Sequence, residues 1–166
     1  MKKLFAILLA VAMMATMSVT AFAVTIEGES GTVEITYGVD DSYVVTIPAD
    51  ITLSAGAAST MEISAADVVI GYGEQLTVSV SSANYADSKW YLVDTANANN
   101  KLEYSVKNGE AAVASGDAIL TVDAGTAETA TATLTTQLVD QATVSGTYKD
   151  TITFTVKVEA APAEQG

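Results

Sequence analysis

The sequence predicts an all-β fold, an antiparallel immunoglobulin-like β-sandwich. Apolar and polar residues alternate with a period of two through most of the chain after residue 23, and helical periodicity is scarce. Clusters of Gly, Asn, Asp and Ser separate the alternating runs at short intervals. Strands with one apolar face and one face rich in Thr and Ser are typical of paired sheets, each with one face in water.

The first 23 residues, MKKLFAILLAVAMMATMSVTAFA, have the three zones of a secretory signal peptide. Lys2 and Lys3 form the positive start, residues 4–19 are mostly apolar, and Ala21 and Ala23 give the small-x-small pattern of a cleavage site. The apolar run is short for a membrane span and is broken by Thr and Ser. We therefore expect residues 1–23 to be removed on export.

The expected mature chain of 143 residues is long enough for one domain with a sizeable core. We predict that residues 24–159 form this domain and that residues 160–166, which are small and polar, form a disordered tail. No second long apolar segment follows the signal, so we expect no membrane span in the mature chain. The protein should be secreted, either released or held at the cell surface.

The composition excludes several classes of function. Removal of the signal leaves five lysines against 20 acidic residues, a net charge of −15, which disfavours nucleic acid and anionic lipid as partners. The absence of Cys means that the core must provide stability without disulfides, as suits an exported protein of a Gram-positive bacterium. The chain also lacks His, so nucleophilic catalysis of the usual kinds is disfavoured. We expect a protein that is not an enzyme and has no cofactor.

The alternating runs predict ten strands. In residues 75–81, Leu76, Val78 and Val80 should face inward while the intervening Thr and Ser meet water. Asn108-Gly109 is the strongest turn signal, because both residues tolerate the positive φ of a tight hairpin. The predicted strands lie near residues 32–37, 43–47, 51–53, 61–63, 75–81, 89–93, 102–107, 118–123, 129–138 and 148–158.

Acidic side chains are the remaining candidates for chemistry. Paired carboxylates can hydrolyse glycosides, but among 20 acids some pair will always look suggestive. Asp40 and Asp41, with Asp50 nearby, could collect calcium through hard oxygen ligands. No loop has the dense acidic spacing of a calcium site, so a solvated turn is the favoured interpretation. We expect no metal site.

Two apolar clusters lie on separate predicted strands. Trp90 and Leu92 share one face of the strand KWYLVD. In the closing strand one face carries apolar residues, and Asp150 alone interrupts it. The single Trp of an all-β domain is usually a core anchor, and it buries on the order of 200 Å². Core packing therefore accounts for both clusters.

The same clusters resemble the sequence pattern of the WxL surface domains of low-GC Gram-positive bacteria. Residues 90–92 read W-x-L, and residues 148–156 resemble the distal pattern Y-x-x-x-L-T-W-x-L, with Phe154 in place of the second Trp. The resemblance implies non-covalent attachment to the cell wall, with peptidoglycan, another wall polymer or other surface proteins as partners. The residues that carry it are Trp90, Leu92, Tyr148, Ile152, Thr153, Phe154 and Val156.

Two alternative functions fit the same fold. The protein could be a pilus or fibre subunit in which residues 24–37, VTIEGESGTVEITY, pair with the open sheet edge of a neighbour. It could also be a carbohydrate-binding module that uses tyrosine rings as stacking platforms, which requires a flat and exposed row of rings. The candidate rings are those of Tyr43, Tyr72, Tyr85 and Tyr91.

Overall fold

A computed structural model describes residues 10–12 and 37–163 of the chain. The predicted signal peptide lies outside these residues except for positions 10–12, and the predicted strand 32–37 lies outside them except for Tyr37. The described residues contain no helix, and therefore none that could cross a bilayer. They form two antiparallel sheets, which confirms the predicted all-β antiparallel sandwich.

Eleven strands are described, numbered here in chain order. They are β1 (Ala10–Ala12), β2 (Ser42–Thr46), β3 (Ala58–Val69), β4 (Glu74–Ser82), β5 (Trp90–Asp94), β6 (Lys101–Asn108), β7 (Ala111–Ala112), β8 (Ala118–Asp123), β9 (Ala130–Leu138), β10 (Tyr148–Lys149) and β11 (Ile152–Ala160). The larger sheet has the order β1-β2-β3-β9-β6-β5-β10, with β7 paired to β6. The smaller sheet has the order β11-β4-β8.

The core lies between the two sheets. Leu76, Val78 and Val80 of β4 are completely buried, as their alternation predicts. From the larger sheet, Ile63 of β3 and Leu134 of β9 are also completely buried. Each such side chain contributes roughly 1.5–3 kcal/mol by leaving water. The packed rows of the two inner faces therefore replace the disulfides that the chain lacks.

Strand β3 is far longer than the predicted strand at 61–63. Its buried positions alternate through Met61, Ile63 and Ala65 and then shift by one residue to Val68. Asp67 between them has φ of 52°, and the pairing of β2 with β3 changes register at the same place. An extra residue of this kind is a β-bulge, and Asp tolerates left-handed backbone better than most residues. Because of the bulge, β3 continues as one strand, but the residues that face the core change from odd to even positions after Asp67.

Two local predictions had different outcomes. A hairpin forms at the predicted place, but its two turn residues are Gly109 and Glu110, because Asn108 is the last residue of β6 and pairs with Ala111. Gly109 has the predicted positive φ, of 60°, and Asn108 does not. The strand predicted at 51–53 is wrong, because this stretch has no strand pairing. It lies between Pro48, which lacks an N–H donor, and a turn that closes from Ser54 to Ala57, so no length remains for a ladder.

The closing strand shows the largest difference from expectation. The prediction of one strand over 148–158 is wrong, because Tyr148 and Lys149 pair with β5 in the larger sheet. From Ile152 onward the chain pairs with β4 in the smaller sheet, in nine consecutive pairs that end at Ala160. The Ala161 N–H then donates to the Gly73 carbonyl over 2.8 Å. The chain therefore crosses between the sheets within two residues.

Candidate functional site

The crossing between the sheets is held by the carboxylate of Asp150. Its Oδ1 accepts hydrogen bonds from Ser82 Oγ at 2.6 Å and from Asn84 Nδ2 at 2.9 Å. The Thr151 N–H donates to the same oxygen at 2.7 Å. Its Oδ2 accepts a hydrogen bond from the Tyr104 hydroxyl at 2.5 Å. An ionised carboxylate is a pure acceptor with about four lone-pair sites, so it can join four donors from three parts of the chain.

Tyr104 is the partner that connects this carboxylate to the core. Its ring is buried on β6 beneath the crossing. Burial first, and then the hydrogen bond to Asp150 and the charge of that group, raise the pKa of the Tyr104 hydroxyl well above its usual value. The hydroxyl therefore remains a donor at every physiological pH, and the contact to Asp150 is permanent under those conditions.

Trp90 anchors the core next to the Asp150 crossing. Its indole Nε1–H donates to the Val113 carbonyl at 2.8 Å, which satisfies its polar group within the core. Its ring meets Tyr85 edge-on at 5.0 Å between centroids and lies 6.1 Å from the ring of Tyr104. The three rings come from β5, from β6 and from the β4–β5 connection, so they tie together the segments around the crossing.

Strand β11 carries an apolar row that is only half buried. Ile152, Phe154, Val156 and Val158 all contact the core, yet each remains partly exposed. The intervening residues, including Thr153, are exposed, so the predicted assignment of faces is confirmed. Strand β11 pairs on one side with β4 and has no partner strand on its other side among the described residues. Its outer edge therefore combines unpaired backbone groups with a half-covered apolar face.

The other described sheet edges are shorter or irregular. Strand β10 has two residues, and β8 has six with a register shift against β4. Strand β1, which pairs with the edge of β2, belongs to the predicted signal peptide, so this edge is open after cleavage. Strand β2 itself has only five residues and a register shift against β3. Short length and bulges are the usual devices that protect an edge from pairing with other chains. Within the described chain, β11 is the long and regular edge.

The residues of the WxL-like pattern divide between the two sheets. Trp90 and Leu92 lie on β5, and the start of the distal element lies beside them because β10 pairs with β5. The Tyr148 hydroxyl donates to the Val144 carbonyl at 3.0 Å. The remaining pattern residues, Ile152, Thr153, Phe154 and Val156, lie on β11 in the other sheet. The pattern therefore spans the crossing at Asp150.

The residues that hold the crossing were not predicted as a group. The interruption of an apolar row by Asp150 is a visible signal, because a buried-face carboxylate needs donors. Those donors, Ser82, Asn84 and Tyr104, lie 46 to 68 positions away in the sequence. A single sequence carries no sign of such distant pairing.

Catalytic and metal-binding arrangements do not emerge from the described side chains. No group of three or more His, Cys, Asp or Glu residues among them is placed to hold a metal ion, and Asp40, Asp41 and Asp50 are exposed. Two shallow clefts, of about 310 and 370 Å³, are open to solvent. The first is lined by amide and hydroxyl side chains, which include Asn99, Gln141 and Tyr148. Such groups can hydrogen-bond a polar ligand.

The tyrosine rings proposed for carbohydrate stacking are scattered. Tyr43 and Tyr85 pack against the core, while Tyr72 is fully exposed in the β3–β4 turn. Lys101 Nζ lies 5.6 Å from the ring centroid of Tyr91 on β5. The four rings lie on separate elements and do not form the flat, exposed row that a stacking platform needs.

Comparison with known proteins gives partial structural matches only. No protein-family model and no curated protein matches this chain. One similar solved structure is the CsuC–CsuE chaperone–tip adhesion subunit pre-assembly complex from archaic chaperone-usher Csu pili of Acinetobacter baumannii. It matches at 21% identity and a TM-score of 0.46, over 69% of this chain and 39% of that one.

A second similar structure is a chaperone–tip adhesin complex described as vital for activation of CFA/I fimbriae biogenesis. It matches at 15% identity and a TM-score of 0.43, over 74% of this chain and 36% of that one. The present chain thus spans less than two fifths of either matched chain. At these identities and scores, the matches say nothing about what this chain binds.

The different burial of the Trp90 and Phe154 rings predicts different losses of folding stability when each is replaced by alanine. Trp90→Ala should lower the free energy of unfolding by about 3–5 kcal/mol, because it leaves a cavity in the core. Phe154→Ala should cost less, about 2–3 kcal/mol, because its ring packs on the core but is less completely buried than that of Trp90. Thr153→Ala, on the exposed face, should change it by at most about 0.5 kcal/mol. Chemical denaturation measures all three, and equal losses at Trp90 and Phe154 would contradict the burial described here.

The Tyr104–Asp150 contact predicts a loss of stability at alkaline pH. Above about pH 10 the unfolded chain releases the Tyr104 proton, whereas the folded chain retains it because the folded pKa is raised. This stabilisation is complete below pH 10 and declines as pH rises through the folded pKa. Denaturation midpoints between pH 9 and 11.5 should fall less steeply in Tyr104→Phe than in the unmodified protein. Tyr72→Phe, which changes a fully exposed ring, should leave the slope unaltered.

Proposed function

We propose that this protein is a secreted, non-enzymatic structural subunit of a bacterial surface assembly, which joins copies by strand addition. The observation that carries the proposal is the outer edge of β11, nine residues long and unpaired in the described chain, with a half-buried apolar row. An exposed edge is a template for a further strand, in which backbone hydrogen bonds provide affinity and side-chain pockets provide specificity.

Strand β11 lacks the features that protect edges in monomeric proteins. It contains no Pro, its pairing with β4 runs without a bulge, and no charged residue points inward along it. Its charges, Lys157 and Glu159, lie on the exposed face. A further strand along this edge would cover Phe154 and Val156 and would pair the outward backbone groups. These properties suit an edge that receives a partner.

Secretion and the absence of catalysis are parts of the same proposal. The signal-like residues 1–23 support export, and the lack of His and Cys leaves few options for nucleophilic chemistry. A net charge of −15 after processing keeps the folded subunit soluble and disfavours binding to nucleic acid. Short-range pairing at an edge does not depend on net charge, so it can operate between acidic copies.

An inward charge on β11 should abolish assembly. The purified chain from residue 24 onward should form a concentration-dependent ladder of oligomers in sedimentation velocity and after chemical cross-linking. Val156→Lys places an ammonium in the half-buried row and should leave monomers, because a docked strand would bury that charge. Thr155→Lys adds the same charge on the exposed face and should retain the ladder.

Circular dichroism and denaturation midpoints separate loss of assembly from loss of folding. If Val156→Lys does not fold, Ile152→Lys tests the same row at the first residue of the strand. A folded chain that remains monomeric at every concentration, without any substitution, would overturn the proposed function. So would a ladder that persists in a folded Val156→Lys or Ile152→Lys variant.

We propose wall association as a second candidate function. It is favoured by the position of the first cleft, which adjoins Tyr148, the first residue of the distal WxL-like element. Residues 139–147 beside it are exposed and include Gln141 and Thr143. Amide, hydroxyl and ring groups at one surface can hydrogen-bond and stack against a glycan without using charge. This surface lies apart from the buried Trp90.

Wall association should be insensitive to salt. The chain from residue 24 onward should sediment with purified Gram-positive cell walls at low and high ionic strength, because added salt only screens repulsion between the acidic protein and anionic wall polymers. Gln141→Ala and Tyr148→Ala should weaken sedimentation, whereas Tyr72→Ala, at a distant exposed ring, should not. Protein that stays in the supernatant at every ionic strength would contradict this candidate.

A further inference from the structure

The chain itself contains a segment suited to the open edge of β11. We propose that residues 24–36 of a second copy add to this edge as an antiparallel strand. The inference rests on the proposed assembly function and names the partner and the direction of pairing. The segment has thirteen residues, enough to pair with all nine residues of β11. Val33 and Ile35 alternate with polar residues, so one face could cover the half-buried row.

The point where the chain enters the fold limits what this segment can do within one molecule. Ser42, the first residue of β2, pairs with Val69, and the turn that follows closes with a 3.0 Å hydrogen bond from Glu74 to Gly71. Glu74 in turn pairs with Ala160. The chain therefore enters the fold at the end of the sandwich where β11 ends, opposite the end where β11 begins.

Antiparallel pairing of the whole segment is out of reach within one chain. It would place residue 36 beside Ile152, about 27 Å along β11 from Ala160. Residues 37–41 span at most about 18 Å when fully extended. A strand from the same chain that ran antiparallel along all of β11 would therefore have to end before Ile35, which would then lie in the linker. A second copy has no such restriction, so it can place both Val33 and Ile35 on the half-buried row.

Charge at this edge is balanced. Residues 24–36 carry Glu27, Glu29 and Glu34 and contain no lysine. Residues 149–160 carry Lys149 and Lys157 against Asp150 and Glu159, in a chain whose expected mature charge is −15. The acceptor strand therefore lacks the net negative charge of the molecule as a whole and repels an acidic donor less than an acidic surface would.

The proposed interface between the donor segment, residues 24–36, and the acceptor strand β11 is heterologous, because it joins two different surfaces of the subunit. The donor lies before β2 and the acceptor is β11, so each subunit offers one of each. A head-to-tail contact of this kind generates rings, of which a reciprocal exchange between two subunits is the smallest, or open filaments. In the inferred assembly the N-terminal segment of one subunit completes the smaller sheet of the next.

The absence of cysteine makes disulfide trapping a clean test. Three donor variants, Thr32→Cys, Glu34→Cys and Thr36→Cys, cover the residues that alternate with Val33 and Ile35. The acceptor variant is Thr155→Cys, exposed in the middle of β11. Each donor chain, from residue 24 onward, is mixed with the acceptor chain and oxidised mildly with glutathione disulfide. At least one pair should give a donor–acceptor dimer on non-reducing gels.

Gln137→Cys provides the matched acceptor control. This residue is also exposed, but it lies on β9, where it pairs with Ala58 on one side and Ser105 on the other. No strand can add there, so its dimer yield should stay at the background of random collision, at least tenfold below the best pair with Thr155→Cys.

The outcomes separate the inferred partner from the proposed function. A ladder of oligomers without any donor–acceptor disulfide leaves assembly standing and overturns residues 24–36 as the donor. A prevalent disulfide between two Thr155→Cys chains would point instead to paired β11 edges. A chain that carries both Glu34→Cys and Thr155→Cys tests closure in one molecule, and a disulfide within its monomer would overturn the second copy as occupant. Absence of both ladder and disulfides would overturn the inference and the proposed function together.

Discussion

The carboxylate of Asp150 is the contact on which the closing part of the fold depends. A chain that leaves one sheet and enters the other within two residues exposes backbone groups to an apolar interior. Here one acceptor receives donors from the end of β4, from the loop after it and from β6. Strand β4 belongs to the smaller sheet and β6 to the larger one, so the Asp150 side chain connects the two sheets at the crossing. A neutral apolar residue at this position would offer none of them a partner.

The crossing determines how the core is completed. Strand β10 extends the larger sheet beside Trp90, and β11 then supplies the outer strand of the smaller sheet. Without the change of sheet, the smaller sheet would keep only β4 and β8, and β4 would lose one of the two strands that flank it. The three aromatic rings beneath the crossing fill the adjoining space, and the indole and phenol groups of Trp90 and Tyr104 each find an acceptor.

The same apolar row of β11 serves stability and, in the proposed function, assembly. A fully buried row would contribute more to folding, but it would have no area left for a partner. A fully exposed row would invite non-specific association. Half burial keeps the subunit folded alone and leaves free energy to be gained when another strand docks. The row is flanked by exposed polar residues, mostly threonines, in an acidic protein. Docking of a further strand therefore depends on its register and on its backbone hydrogen bonds.

The sequence alone determined the fold class, most of the strands and their inward faces. These are local properties, because alternation with a period of two follows from the pleat of each strand. Leu76, Val78 and Val80 are buried as their spacing predicts, and Phe154 and Val156 face the core. The bulge at Asp67, the division of the closing strand and the open edge of β11 were decided by tertiary structure. Each depends on which strand lies beside which, and the side-chain donors that meet at Asp150 are 46 or more residues away along the chain. Local patterning carries no information about partners at that distance.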